Sequence, residues 1–132
     1  MKTAAFLAAL VASAIASPAL ADGDAVKGID VFKKCAVCHD AVEKKDKVGP
    51  NLVGVVGRTA GTLESFAAKY SPAMKEAGAK GLVWDEANIA AYLKDPKGKI
   101  PGNKMAFAGL KKDDEIANVI AYLKADPKPT KP

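Results

Sequence analysis

Five consecutive residues of this sequence have the types and spacing that cofactor chemistry needs: Cys35-Ala36-Val37-Cys38-His39. Two thiols three positions apart lie on nearly one face of a helical turn, so both can add to the vinyl groups along one edge of a haem. The imidazole that follows can then bind the iron. His39 is the only histidine of the chain, so no other imidazole competes for the metal. The pentapeptide therefore predicts covalent attachment of a c-type haem.

The same two cysteines allow three other interpretations. A C-x-x-C can be a thiol redox pair, but that chemistry is typical of a βαβ unit, and the sequence has no strand pattern. With His39 the cysteines could form part of a zinc site, although a structural zinc site needs a fourth ligand. The thiols could also close a disulfide across a tight loop. The pentapeptide favours haem over these alternatives and leaves them open.

The start of the chain has the pattern of a secretory signal peptide, in which a basic residue precedes the apolar run Ala4–Ile15 and small residues follow. We therefore expect residues 1–21 to be cleaved and residues 22–126 to form one domain. The tail 127–132, rich in proline and lysine, is expected to be disordered. The apolar run is too short for a good membrane anchor, so we expect no membrane-spanning segment. Export would place the domain in a bacterial periplasm.

The charge of the chain is basic, with a formal net charge of +5. Nearly all basic residues are lysines, and Arg58 is the only arginine. Recognition of phosphates and bases favours the arginine fork, so the composition argues against a nucleic-acid partner. A lysine excess indicates either an acidic partner surface or a solubilising coat.

Hydrophobic periodicity predicts a helix at each end of the domain. The first helix has an apolar stripe formed by Ala25, Ile29, Phe32 and Ala36, and the C-x-x-C-H motif would lie at its C-terminal end. The last helix is predicted from about residue 113 to residue 125, with acidic side chains in its first turn.

Two further helices are predicted in the middle of the chain. A serine–proline pair opens a short helix over residues 73–77, which Gly78 closes. Asp85 caps a longer helix that stops at Asp95, because the following proline disfavours helical backbone before it. Residues 97–110 are broken by glycine and proline and are predicted to be irregular.

The iron of a haem held by His39 needs a sixth ligand, and the sequence has few candidates. Met74 lies in the short helix, where methionine usually fills gaps in a core. Met105 lies in the irregular segment and is free to approach the face of the ring. A thioether opposite histidine is a recurrent cytochrome arrangement, so we predict Met105 as the ligand. Lys104 is a weaker rival that could bind only after losing its proton.

A series of short motifs resembles the class I c-type cytochromes, most of all the bacterial cytochromes c2, with mitochondrial cytochrome c close to them. The motifs are Gly28 and Phe32 before C-A-V-C-H, then Val48-Gly-Pro-Asn-Leu52, Gly57-Arg58, Trp84, Tyr92-Leu93, Ile100-Pro-Gly-Asn-Lys-Met-Ala-Phe-Ala-Gly109 and Ile120-Ala-Tyr-Leu123. They span residues 23–124. The resemblance implies an all-α fold with four to five helices around one covalently bound haem. The N- and C-terminal helices would cross, with Gly28 and Phe32 against Val119 and Tyr122.

The resemblance also implies roles for single side chains. Cys35 and Cys38 would carry the haem. The carbonyl of Pro50 would accept the ring N–H of His39 and fix the orientation of the imidazole. Three side chains would bind the haem propionates: Arg58, Tyr70 and Trp84.

Three positions need separate remarks. Tyr92 would lie near the sulfur of Met105. Trp84 could pack on Ile89 as a hydrophobic staple, with or without a propionate contact. Asn103 stands where the family commonly has threonine, which puts a propionate contact at that position in doubt.

The function implied is that of a soluble periplasmic carrier of single electrons, a monomer and not an enzyme. Exposed lysines near the haem motifs would steer it onto acidic faces of membrane redox complexes. The donor implied by the family is a cytochrome bc1 complex, and the acceptor is a terminal oxidase or a photosynthetic reaction centre. We refer to the predicted lysines as the lysine rim: Lys33, Lys34, Lys47, Lys97, Lys99, Lys104, Lys111 and Lys112.

Two other functions compete with electron transfer. A haem from which Met105 dissociates easily would suit an enzyme or a gas sensor, and binding of carbon monoxide or cyanide would reveal it. A thiol protein without haem is the second alternative, and it is excluded if the purified protein is red and its haem resists extraction.

Overall fold

A computed structural model describes residues 22–132. In this part of the chain the regular structure is helical apart from one isolated antiparallel bridge between Thr59 and Val83. The helices in chain order are α1 (Ala25–Phe32), a short 3₁₀ helix (Glu64–Phe66), α2 (Pro72–Ala79), α3 (Glu86–Lys94), α4 (Pro96–Lys99) and α5 (Asp113–Lys124). The prediction of an all-α fold is confirmed. The predicted signal peptide lies outside the described residues.

Helices α1 and α5 cross and make the most extensive helix–helix contact of the described residues. The backbones approach closely at Gly28, where an added Cβ would stand 2.7 Å from Cβ of Tyr122 and would collide with the carbonyl oxygen of Asn118. The rings of Phe32 and Tyr122 follow, with their centroids 5.1 Å apart. Val119 is 1% exposed beside them. The crossing predicted for the terminal helices is therefore confirmed.

Side-chain caps begin four of the helices. Asp24 opens α1, Ser71 opens α2, Asp85 opens α3 and Asp95 opens α4, and each accepts a hydrogen bond from a backbone N–H of the first turn. These bonds satisfy donors that have no partner within the helix. The residue before α5 makes no such bond, but acidic side chains fill the first turn of this helix and favour its positive end.

The prediction that Gly78 ends a short helix was wrong. Helix α2 continues through Gly78 to Ala79. Gly78 is buried, and an added Cβ would collide with the carbonyl oxygen of Ala60. The glycine therefore serves close packing inside a helix instead of a left-handed turn after it.

Two further boundaries differ from the prediction. Residues 96–99 form α4 and not irregular chain, because Pro96 suits a first helical turn and the carboxylate of Asp95 accepts the N–H of Gly98 at 3.0 Å. Helix α1 ends at Phe32, so Ala36 and the cysteines lie in the turns that follow it.

The C-terminal residues contact the helices at two points. Nζ of Lys128 donates to the carbonyl oxygens of Leu123 and Ala125, at 2.9 and 2.6 Å. Lys131 pairs with Asp30 of α1 at 2.8 Å. The tail, for which the sequence predicts disorder, thus lies against the end of α5.

Candidate haem-binding site

Two consecutive turns directly after α1 present the cysteines. The N–H groups of Cys35 and Ala36 both donate to the carbonyl of Phe32, at 2.8 and 2.9 Å. The N–H groups of Cys38 and His39 both donate to the carbonyl of Cys35, at 3.0 and 2.9 Å. Both thiols are free and half-buried, and burial raises the pKa of Cys35 to about 11. The motif therefore holds two thiols and an imidazole on a short piece of backbone with four hydrogen-bonded N–H groups.

The imidazole of His39 is oriented by the next loop. Its Nδ1 lies 2.6 Å from the carbonyl oxygen of Pro50. A carbonyl can only accept, so Nδ1 carries the proton and Nε2 keeps its lone pair for a metal. Burial is the main cause that lowers the pKa of His39, and the nearby charge of Lys47 lowers it further. A neutral imidazole with a free Nε2 is the form that binds iron.

Gly49 forms a flat support beneath this imidazole. A Cβ at this position would stand 2.8 Å from Nδ1 and 2.9 Å from Nε2 of His39. The N–H of Gly49 donates to the carbonyl of Cys38 at 2.9 Å, and Nζ of Lys47 donates to the carbonyl of Ala36. The loop is thus hydrogen-bonded to the motif at two residues, Ala36 and Cys38.

A second layer of hydrogen bonds fixes the loop after Pro50. Asp46 accepts from the backbone N–H and from Nδ2 of Asn51, at 2.9 and 2.8 Å. Asn51 is buried, and hydrogen bonds from Ser65 and Asn51 lower the pKa of Asp46. The guanidinium of Arg58 donates to the carbonyls of Asn51 and Val53, at 2.9 and 2.8 Å.

The structure brings together the three residues predicted to bind propionates, Trp84 and Arg58 through their backbones and Arg58 and Tyr70 through their side chains. The backbone N–H of Trp84 donates to the backbone carbonyl of Arg58 at 2.8 Å. Tyr70 lies beside the Arg58 guanidinium, and its hydroxyl accepts the N–H of Leu63 at 3.3 Å. Burial raises the pKa of Tyr70 and lowers that of Arg58. The guanidinium keeps further N–H groups beyond the two used on carbonyls, so it can still meet a carboxylate.

Trp84 and Tyr92 form an aromatic pair in the core. Their ring centroids are 5.0 Å apart at an interplanar angle of 49°. Both residues are buried, and burial raises the pKa of Tyr92 to about 12. Trp84 therefore packs on helix α3 through the ring of Tyr92, and it shares the buried core with Ile89.

Met105 lies in the segment between α4 and α5, half-buried against the same core cluster as Cys35, Trp84 and Tyr92. Met74 is also half-buried against this cluster, so burial alone does not separate the two methionines. Their backbones do, because Met74 is fixed within α2 and Met105 is in irregular chain.

All eight residues of the lysine rim are exposed. Two of them form ion pairs, Lys33 with Asp30 at 2.9 Å and Lys34 with Glu115 at 3.5 Å. Nζ of Lys111 donates to the carbonyl oxygens of Lys94 and Ala108. Lys104 and Lys112 make no such contact within residues 22–132.

The donor set fits a c-type haem. Two thiols lie one turn apart, a neutral imidazole presents Nε2, and a thioether on irregular backbone shares the core with them. The His39 ring lies directly against Gly49, where any side chain would displace it. Imidazole and thioether are axial ligands that haem proteins use.

Sequence reasoning missed three contributors to this site: Gly49, Asp46 and Asn51. The first and third lie in the motif Val48-Gly-Pro-Asn-Leu52, which singled them out without saying what they contact. The role of Asp46 left no signal, because one acid among the charges of residues 40–47 looks like any solvated residue.

The family model for cytochrome c matches residues 25–125 of the chain. The chain is 52% identical over 103 residues to the cytochrome c2 of Agrobacterium tumefaciens, a match that covers 77% of this chain and 91% of that protein. It is 50% identical over 131 residues to the cytochrome c2 of Rhodospirillum rubrum, covering 90% and 95%. Cytochrome c-550 of Nitrobacter winogradskyi is 50% identical over 102 residues, covering 76% and 89%.

A solved structure supports the same assignment. Cytochrome cH from Methylobacterium extorquens superimposes with a TM-score of 0.67 at 42% sequence identity, over 77% of this chain and 98% of that one. Cytochromes c bind haem c covalently, and Cys35 and Cys38 have the spacing that this attachment needs. The chain therefore belongs to the cytochrome c family, as a class I c-type cytochrome of the bacterial cytochrome c2 kind that transfers electrons through covalently bound haem c.

Proposed function

We propose that this chain is a periplasmic one-electron carrier, and not an enzyme, whose haem iron is bound by Nε2 of His39 and the sulfur of Met105. The observation that carries the proposal is the 2.6 Å contact between Nδ1 of His39 and the Pro50 carbonyl, which leaves Nε2 as the ligand nitrogen. Thioether bonds from Cys35 and Cys38 would fix the haem on the turns after α1.

The bound haem supplies the one-electron chemistry of its iron. The residues of the chain keep both ligands in place and exclude water. The backbone of Gly49 packs against the imidazole of His39, and the carbonyl of Pro50 accepts its Nδ1–H. Arg58, Tyr70 and Trp84 are the donors for the propionates. The buried pair Trp84–Tyr92 gives the apolar surroundings that favour the less charged, reduced iron and raise its potential.

The lysine rim is the proposed docking surface for acidic faces of membrane redox complexes. Its side chains are exposed on the segments around the motif and around Met105, and attraction between unlike charges speeds association in a manner that salt screens. The proposed donor is a cytochrome bc1 complex, and the proposed acceptor is a terminal oxidase or a photosynthetic reaction centre.

An optical spectrum tests the ligands. The oxidised and reduced protein should give low-spin c-type bands, and the oxidised form should give the weak far-red band of methionine bound to ferric iron. Met105→Ala should abolish that band, whereas Met74→Ala, the matched control in α2, should keep it. A high-spin iron, or a far-red band that depends on Met74, would refute the ligand assignment. Ready binding of carbon monoxide would instead support an enzyme or a sensor.

Charge reversal tests the docking surface. Lys104→Glu should slow electron exchange with an isolated bc1 complex several-fold at low salt and little at high salt. Two unit charges at contact distance in water interact with an energy of about 1 kcal/mol, and salt screens this interaction. Lys80→Glu is the control, since Lys80 pairs with Glu76 on α2 at 2.8 Å and is outside the rim. Equal effects of the two variants would show that net charge, and not this surface, sets the rate.

Mass spectrometry of the exported protein tests the proposed periplasmic location and the cleavage of the signal peptide. A mature N-terminus at Asp22, with the mass of one added haem, is expected in a periplasmic fraction. A protein that retains residues 1–21 would refute the cleavage.

A further inference from the structure

One buried asparagine organises the segment that carries Met105. Asn103 is 4% exposed. Its Nδ2 donates to the carbonyl oxygens of Pro96 and Ile100, both at 2.9 Å. Its Oδ1 accepts the backbone N–H of Met105, also at 2.9 Å. A single side chain thus joins the first turn of α4, the residue after α4, and the backbone of Met105.

These bonds use the full donor capacity of the Asn103 side chain. A side-chain amide has two N–H donors, and both are directed at carbonyls of the chain. Both side-chain N–H groups of Asn103 are therefore already bound, which argues against a propionate contact at this position. A threonine here could donate only one hydrogen bond through its hydroxyl and could not make all three contacts.

Lys97 closes the same network from outside. Its Nζ donates to the carbonyl oxygen of Asn103 at 2.6 Å. The Lys97 ammonium group therefore helps to hold the peptide that leads to Lys104 and Met105. A hydrogen bond from a charged donor is stronger than one between neutral groups.

The other end of the segment is fixed separately. The N–H of Leu110 donates to the carbonyl of Leu93 at 2.7 Å, so residue 110 is bound to α3. Between Asn103 and Leu110 the backbone is irregular. The N–H of Met105 is thus bound by Oδ1 of Asn103, and its carbonyl accepts only from the nearby Phe107 at 3.0 Å among the described residues.

From this geometry we infer that Asn103 is a positioning residue that determines how firmly Met105 occupies the sixth position of the iron. The inference rests on the proposed ligation by Met105. Met105 competes with any external ligand for that position, so the apparent affinity of the external ligand rises as the hold on Met105 weakens. Asn103 acts on that balance through its hydrogen bond to the backbone N–H of Met105 and not through the sulfur.

Imidazole binding to the ferric holoprotein tests the inference. Asn103→Ala should bind imidazole at least about tenfold more tightly than the unchanged protein, because each lost hydrogen bond shifts such an equilibrium roughly fivefold. The far-red methionine band should disappear at a lower temperature than in the unchanged protein. Asn103→Asp keeps the shape and Oδ1 but loses both N–H donors, and it should tighten imidazole binding in the same direction even if Asn103→Ala fails to fold.

Asn118→Ala is the matched control. Oδ1 of Asn118 accepts the N–H of Asp24 at 2.8 Å, where α5 meets the start of α1. This variant should lower the unfolding midpoint and leave the imidazole affinity within about twofold, because the lost bond is remote from Met105.

Two different results would overturn the inference, and they are distinguishable. If Met105→Ala loses the far-red band while both Asn103 variants bind imidazole like the unchanged protein, the ligand assignment stands and the role of Asn103 is wrong. If Met105→Ala keeps the band, the ligand assignment of the proposed function fails, and the inference fails with it.

Discussion

Gly49 lies flat against the imidazole of His39, so that a Cβ atom at Gly49 would stand 2.8 Å from the Nδ1 that contacts Pro50. The backbone of Gly49 cannot retreat easily, because its N–H is bound to the carbonyl of Cys38. The strength of the His39–Pro50 contact therefore depends on the absence of a side chain one residue earlier.

We predict that Gly49→Ala displaces the His39 ring. The free energy of unfolding should fall by about 1–3 kcal/mol, the usual cost of an inserted methyl group in a packed site. The NMR signals of the haem methyl groups, which report the orientation of the axial imidazole in the ferric protein, should also move.

Gly54→Ala is the control for Gly49→Ala. Gly54 has a φ of +66°, and a Cβ there meets nothing within 4 Å. Its alanine variant should lose about 1–2 kcal/mol through backbone strain and keep the haem methyl signals. If both variants leave these signals in place, Gly49 has no role in orienting the ring.

The sequence predicted those parts of the fold that local chemistry decides. Asp85 caps α3 and an acidic first turn opens α5, at the positions expected. The error at Gly78 has a nonlocal cause, because the glycine is required by the carbonyl of Ala60, far away along the chain. A helix-ending glycine and a close-packing glycine look the same in a sequence.

The candidate site also has one part that the sequence predicts and another part that only the folded structure shows. The positions of Cys35, Cys38 and His39 follow from their spacing, and Met105 was predicted from its place in irregular chain. The resemblance supplied Pro50. The side-chain bonds of Asn103 and Asp46 could not be predicted, because their partners are several residues away and come close only in the folded loops.

Gly28→Ala is predicted to separate the crossing helices α1 and α5. The new methyl group would collide with the backbone of Asn118 and with Cβ of Tyr122, neither of which is the flexible end of a side chain. We expect the free energy of unfolding, measured by chemical denaturation, to fall by about 1–3 kcal/mol. The far-red band of the folded protein should be unchanged. Lys27→Ala, an exposed neighbour on α1, should change stability by less than about 0.5 kcal/mol. Equal stability of the two variants would contradict the tight crossing.

Tyr92 is predicted to make the fold sensitive to strong alkali. Burial raises its pKa to about 12 from an ordinary 10.0, so the folded protein keeps the phenol proton at a pH where the unfolded chain has released it. This contribution to stability is complete below pH 10 and is lost as the pH rises to 12, by roughly 1.4 kcal/mol per pH unit. Chemical unfolding of the reduced protein between pH 9 and 12 should therefore show a shallower pH dependence in Tyr92→Phe. Parallel curves for the two proteins would argue that this phenol ionises normally.

Lys128 is predicted to stabilise the end of α5. Its Nζ donates to the carbonyls of Leu123 and Ala125, which have no partner further along the helix. Lys128→Ala should therefore lower the free energy of unfolding by about 1 kcal/mol. Lys131→Ala removes an exposed ion pair with Asp30 and should leave the unfolding midpoint unchanged, because such pairs contribute little. Backbone NMR relaxation provides the second readout, since a tail held by Lys128 is ordered and becomes mobile when that lysine is removed. A tail already mobile in the unchanged protein would favour the disorder that its composition predicts, and Lys128→Ala would then have no effect on stability.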